Sequence, residues 1–255
     1  FYGGGEFTMR FERGKITREF ARVGDSNGRH GLSVTFKPDA EIFETVEFDY
    51  EMLLDRLREQ AFLNAGVRIV LRDERHRTEE DGSDAPVRED DLCYEGGIRS
   101  FVEYMRENRH NELIHPDVIY MISKKGDITA EVAMQYNDSY NESIVTFANN
   151  MATVDGGTHE VGFKTAITRV INDYAKKCGA LKDSDKKLSG DDVREGLCAV
   201  VSVKLPDAQF ESQTKAKLGN SEVRGIVDSI VTEKLSEFFE ENPNVARAVI
   251  DKALA

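Results

Sequence analysis

The chain has few of the residues that staple or anchor a protein. Its three cysteines, Cys93, Cys178 and Cys198, are odd in number, widely separated and never in a CxxC spacing. That argues against a disulfide framework or a structural metal and for a reducing compartment. The five histidines show no ligand spacing either. No apolar run approaches the ~20 residues that cross a bilayer, and no signal peptide is visible, so the reading is a soluble cytoplasmic protein with no membrane partner. Positive charge is short as well: 34 Lys and Arg stand against 47 Asp and Glu, a formal net charge of −13. The chain as a whole is therefore no electrostatic footprint for nucleic acid, and any DNA contact must be local. An initiating methionine is missing before Phe1-Tyr2-Gly3-Gly4-Gly5, and the last helical pattern, 244–255, stops without a cap or breaker. The expectation is a piece of a longer polypeptide.

What is present, 255 residues of which 40% are hydrophobic, is enough for two modest cores. Residues 7–11 and 16–22 flank Glu12-Arg13-Gly14-Lys15 as a β-hairpin, and a further strand is expected at 32–36. Leu53, Leu54, Leu57 and Ala61 fall at helical spacing between Asp49 as N-cap and Gly66 as the residue after the helix; Val67, Ile69 and Leu71 then alternate as a strand. Residues 1–72 thus read as the end of an α/β sheet. Residues 73–91, almost devoid of apolar side chains, read as a solvated loop rather than an acidic recognition element. Gly97 leads into a helix whose Ile98, Phe101, Val102 and Met105 share a face, with a domain junction around 93–110.

The second half alternates more clearly. Strands are expected at 118–123, over Ile128, Ala130, Val132, Met134 and Tyr136, and at 143–147, as an antiparallel sheet with one wet face. A glycine-rich turn, 153–159, ends at Thr158 as a cap. The helix that follows, to about 178, turns Phe163, Ile167, Val170, Ile171 and Tyr174 toward the sheet. Ser189-Gly190-Asp191-Asp192 matches a capping box that opens a short helix, 191–197. An apolar strand at 198–205 stops at Pro206; from Ser221 a helix with one apolar side runs to Asn242-Pro243, and a last helix begins. The fold class is α+β, a sheet with helices on one face.

Among residues that can carry chemistry, Gln213-Thr214-Lys215 stands first. A compact ammonium beside an amide donor suits a terminal phosphate, and a loop between a rigid strand and a helix can report whether that phosphate is present. Spacing alone does not separate this from a surface lysine, and Lys217 has an equal formal claim. His159 lacks a recognisable nucleophile or carboxylate partner nearby in sequence, so capping or packing explains it better than catalysis. Asp191, Asp192 and Glu195 mimic a metal cluster but suit the helix dipole. Gly3-Gly4-Gly5 lacks the Lys-Ser/Thr and helix of a phosphate loop. Lys164, Arg169 and Arg194 either face DNA or are simply solvated.

Three stretches go further: 94–104 (YEGGIRSFVEY), 155–169 (DGGTHEVGFKTAITR) and 193–224 (VREGLCAVVSVKLPDAQFESQTKAKLGNSEVR). Together they resemble the B subunit of bacterial DNA gyrase, over roughly residues 10–255. They are also similar to the equivalent subunit of topoisomerase IV, although VSVKLPDAQF and LGNSEVR look more like gyrase. The resemblance implies that 1–95 is the last part of a GHKL-type ATPase domain, an α/β sandwich. Residues 96–241 would then be a transducer domain with a mainly antiparallel sheet, and 242–255 the start of a linker helix. It implies ATP as the nucleotide, with Lys215 as the catalytic contact to its γ-phosphate and Gln213 beside it, and Lys164 on the wall of a cavity that takes DNA. It further implies magnesium in the complete protein with no ligands here, a second copy of the same subunit in an ATP-dependent dimer, the gyrase A subunit and DNA as partners. The family's catalytic glutamate, magnesium-binding asparagine, Asp-x-Gly-x-Gly turn, glycine-rich lid, N-terminal arm and C-terminal cleavage module have no counterpart in the sequence. Glu12 stands where relatives often carry an arginine, and Gly31-Leu32 where they often have Gly-Thr. The chain alone is therefore expected neither to hydrolyse ATP nor to cut DNA. The rival reading is a non-catalytic α+β docking module that ignores nucleotide.

Overall fold

The computed structural model describes residues 1–75, 86–107 and 111–255, and the chain divides into two compact units, Phe1–Asp49 and Tyr50–Ala255. In the first, β1 (Gly5–Glu12) and β2 (Lys15–Asp25) pair as an antiparallel hairpin. Arg13 and Gly14 form its turn at φ 48 and 76, the left-handed pair that a two-residue hairpin loop requires. Arg13 is held there by Asp39 at 2.6 Å and Glu41 at 2.9 Å. The strand expected at 32–36 does not form: the segment is irregular, and Leu32, Val34 and Phe36 are exposed. Alternation is only half of a strand; the other half is an edge to pair with, and the hairpin does not supply it.

The second unit opens with α1 (Tyr50–Leu63), which covers β3 (Ile69–Asp73) through Tyr50, Leu54 and Ala61. β3 pairs with β4 (Arg88–Leu92) in antiparallel register, Ile69 opposite Leu92 and Asp73 opposite Arg88. The end of the expected loop 73–91 is therefore a strand, while 76–85 lie outside the described residues, as do 108–110 of the expected junction. Charge hid this strand: REDDL has one apolar residue, Leu92, which is buried in the α1 cluster, while opposite charges flank the ladder at Arg68 with Asp91 and Arg72 with Glu89.

After α2 (Ile98–Glu107) comes a five-stranded sheet in the order β5 (Ile119–Lys125), β6 (Ile128–Tyr136), β9 (Leu197–Lys204), β7 (Ser143–Ala148), β8 (Met151–Ala152). All neighbours are antiparallel except β7 and β9, which run parallel. Between β8 and β9 lie α3 (Thr158–Lys177) and the short α4 (Gly190–Arg194), and α5 (Ser221–Glu241) and α6 (Pro243–Leu254) complete the unit. Phe163, Ile167 and Ile171 of α3 and Val227, Ile230 and Val231 of α5 pack on one face of the sheet with Ala130, Val132 and Val201. The face expected to be wet is covered too. Ala133, Phe147 and Val200 point the other way, into a cluster with Ile98, Phe101 and Val102 of α2 and Phe62 of α1.

Two helix starts are closed by different chemistry. Ser189 and Asp192 form the expected capping box, each side chain bonded to the other's backbone N–H, at 3.2 and 2.7 Å. Thr158, expected as the cap of α3, is instead its first residue, and Gly157 at φ 145 is the cap without any side-chain bond. The Thr158 N–H needs none, because the carbonyl of Leu218 accepts it at 3.1 Å.

Candidate functional site

The strand β9 ends just before Leu205 and Pro206, and the chain reaches α5 by a loop built as a small irregular hairpin. Gly219 N–H bonds to Gln209 O at 2.7 Å and Glu211 N–H to Lys217 O at 3.1 Å, with Phe210 bridging Leu218. Buried Asn220 closes the neck: its amide donates to Asp207 O at 3.0 Å and accepts from Gln209 N–H at 2.7 Å. The base is seated on the glycine turn before α3. Leu218 is fully buried, its N–H bonded to Gly156 O at 3.2 Å, and Asp155 N–H reaches Ala216 O at 2.9 Å. A Cβ on Gly157 would lie 2.6 Å from Leu218 O, so only glycine lets these two backbones meet.

The tip has the opposite character. Lys215 N–H bonds back to Ser212 O at 3.0 Å, the Ser212 and Thr214 hydroxyls meet at 2.6 Å, and Gln213, Thr214 and Lys215 are all exposed. Lys215 sits at φ 58, a left-handed conformation that costs a non-glycine residue about 1–2 kcal/mol. Lys217 is paired with Glu211 at 3.1 Å, whereas Lys215 has no ion pair among the described residues. The equal formal claims of the two lysines are thus unequal in space: one ammonium is already neutralised and the other is presented on a fixed stem.

The remaining candidates are engaged elsewhere. Lys164 lies between Glu160 at 2.8 Å and Glu142 at 3.1 Å. Burial pulls its ammonium pKa down, but the bonds to these carboxylates outweigh that and raise it above the ordinary value. Glu142 also accepts from Arg194 at 2.6 Å; burial would raise its carboxyl, yet the two cations hold it below its usual range. Arg169 ties α3 to Asp228 and Thr232 of α5. Asp192 serves the capping box, Asp191 meets Arg194 at 2.7 Å and Glu195 meets Lys252 at 3.8 Å. His159 is fully buried, its Nε2 3.0 Å from Thr153 Oγ1, and burial depresses it to about 4. It is a neutral core residue. Among the described residues no group of three or more His, Cys, Asp and Glu side chains is placed to hold a metal ion, and no helix is long and apolar enough to cross a membrane.

Three asparagines matter to this site that sequence reasoning passed over. Besides Asn220, Asn149 and Asn150 occupy consecutive left-handed positions, φ 49 and 64, in the turn from β7 to β8. An Asn-Asn pair directly after an alternating apolar segment is a hairpin signal that could have found the second two.

A sequence profile of the family described as DNA gyrase B matches residues 97–255. The DNA gyrase B subunit of Clostridium acetobutylicum is 56% identical over 245 residues, 96% of this chain and 36% of that protein. Among solved structures, the 43K ATPase domain of Thermus thermophilus gyrase B, in complex with an aminocoumarin, superposes with a TM-score of 0.80 at 39% identity, covering 99% of this chain and 65% of that one. The gyrase B protein from Myxococcus xanthus shares the fold, with a TM-score of 0.77 at 22% identity over 99% of this chain and 69% of that one. The chain spans little more than a third of the length of the Clostridium relative, but the match takes in 96% of the chain and the family profile more than half of it: the chain belongs to the DNA gyrase B family.

Proposed function

We propose that this chain acts within an ATP-dependent type II DNA topoisomerase, passing the state of a bound nucleotide to a clamp that moves DNA. Residues 1–95 are the end of its ATPase domain, 96–241 its transducer and 242–255 the start of a linker helix. The observation that carries the reading is Lys215: exposed, without an ion pair among the described residues, and at the tip of a loop whose base is bonded to the start of α3. As the bond between the β- and γ-phosphates of ATP breaks, negative charge is spread over the γ-phosphoryl oxygens and the departing β-phosphate oxygen. The Lys215 ammonium, carried on a loop whose base is bonded in place, with Gln213 two residues before it, stabilises that charge. Loss of the phosphate releases the tip, and because α3 packs along α5, a shift at the base can be carried down the pair of helices.

That the Thermus thermophilus relative is described as an ATPase domain supports ATP as the nucleotide. Magnesium is given no ligand in this chain. Partners in the proposed assembly are a second copy of the subunit, the gyrase A subunit and DNA, in the cytoplasm. Lys164 enters as a conditional DNA contact, since a phosphate reaching it must displace Glu160 or Glu142. The test is Lys215→Ala in the complete subunit. ATP-dependent supercoiling should fall by roughly 100-fold, the effect of removing one charge-stabilising donor, while Lys217→Ala changes it little. Supercoiling at the wild-type rate in Lys215→Ala would end this reading and favour a docking module indifferent to nucleotide.

A further inference from the structure

The turn from β7 to β8 adds directional bonds between two parts of the unit, the end of α1 and the end of β9, that otherwise meet through a shared apolar cluster. Asn149 works toward the site. Its N–H bonds to Val203 O at 2.9 Å, and its side-chain amide imitates a strand neighbour for Leu205, donating to Leu205 O at 2.9 Å and accepting from Leu205 N–H at 2.9 Å. Leu205 is the last residue before Pro206, where the Lys215 loop departs. Asn150 works the other way. Its carbonyl accepts from the Gln60 amide at 2.9 Å and its side-chain amide donates to Asn64 Oδ1 at 3.0 Å, while Asn64 in turn bonds to Gln60 O at 2.8 Å. Gln60 is in the last turn of α1 and Asn64 follows it. An unbroken run of bonds therefore leads from the end of α1, through two residues held in the left-handed region, to the root of the loop. Asn220 continues it, since its amide donates to Asp207 O, two residues beyond Leu205.

Both asparagines are in a conformation that costs most side chains energy, and the whole Asn149 amide and the NH2 group of Asn150 are spent on connections rather than on the turn itself. A turn needed only to reverse the chain would be served by glycine. We propose that Asn149 and Asn150 are positioning residues: they set the root of the Lys215 loop according to the position of α1, and so bring Lys215 to the phosphate in step with the domain to which α1 belongs. This rests on the reading of Lys215 given above. The pair makes no contact with the phosphate and acts only through the loop.

The test uses the complete subunit, and its two readouts separate the inference from the reading beneath it. The first is hydrogen exchange at the loop amides of Glu211, Leu218 and Gly219. Asn149→Gly keeps the backbone conformation and deletes the amide; Asn149→Asp keeps the acceptor alone and serves if the glycine variant does not fold. Either should speed exchange at these amides, by about tenfold for the glycine variant, the size expected from losing one or two hydrogen bonds. Gln60→Ala combined with Asn64→Ala, which touches only the α1 side, should do the same. Loop amides that exchange at the wild-type rate in the α1-side variant overturn the coupling. The second readout is the affinity ratio between a non-hydrolysable ATP analogue and ADP. Asn149→Gly should lower the ratio without weakening ADP, and should have no further effect once Lys215 is alanine, the non-additivity of residues acting through one contact. Equal loss of both nucleotides, or additive losses with Lys215→Ala, would mean a merely structural role and overturn the inference. If Lys215→Ala alone left the ratio unchanged, the phosphate reading and the positioning built on it would fall, while the exchange data would still judge the coupling.

Discussion

His159 shows what a single residue contributes when it is buried without charge. Its imidazole is pushed from the ordinary 6.5 down to about 4 by burial. Between those values the unfolded chain binds a proton there and the folded chain does not. The stabilising share of the neutral ring is therefore whole above pH 6.5 and is lost as the pH falls toward 4. Between pH 7 and pH 5 that loss is about 2 kcal/mol. His115, also lowered by burial, adds to the same trend. In urea titrations at the two pH values, His159→Gln should lose less stability on acidification than the wild type by about that amount. Parallel losses would show that the ring is not the group that titrates. At this scale the sequence was a partial guide. That packing explains His159 was visible in the residues around it, whereas spacing left Lys215 and Lys217 equal and only the family resemblance chose between them, because the difference in their pairing depends on Glu211 folding back across the hairpin.

At the scale of elements, the close approach of α3 and α5 is set by a glycine. A Cβ on Gly162 would lie 2.5 Å from the carbonyl oxygen of Arg224, a backbone atom that cannot step aside. Gly225, one residue along α5, has open space where its Cβ would be. The two substitutions should then have opposite signs. Gly162→Ala should destabilise by about 1–3 kcal/mol through overpacking, and Gly225→Ala should stabilise by about 0.5–1 kcal/mol through helix propensity. Urea midpoints of both variants against the wild type check this, and a destabilising Gly225→Ala would mean that α5 itself is not held as described. Elements with strong internal signals were legible: the hairpin declares itself by its turn, α1, α3 and α5 by one apolar side, and β6 and β9 by their apolar runs. β4 was hidden because four of its five residues are charged and its one apolar side chain, Leu92, gives no alternation to read. The parallel pairing of β7 with β9 was hidden because the two are separated by α3 and α4, so nothing local to either records it.

For the molecule as a whole, burial is unevenly divided. The buried hydrophobic residues begin at Tyr50 and none falls among residues 1–49, where Leu32 is 87% and Phe36 72% exposed. A two-stranded hairpin is marginal by itself in water, and the contact that helps it, Phe7 stacked on Phe20 at 5.1 Å, lies between side chains that are themselves exposed. The strands β6 and β9, in contrast, are buried on both faces by clusters that include α2, α3 and α5. Protection against hydrogen exchange should follow that division. Amides of β1 and β2 should open with a small local free energy, and those of β6 and β9 only with global unfolding. Added denaturant should therefore leave hairpin exchange almost unchanged while it speeds exchange in β9 steeply, since the first opening exposes little new surface and the second exposes the core. Equal denaturant dependence at both places would show that the hairpin unfolds only with the core, and that the stability of residues 1–49 has a source beyond their own contacts.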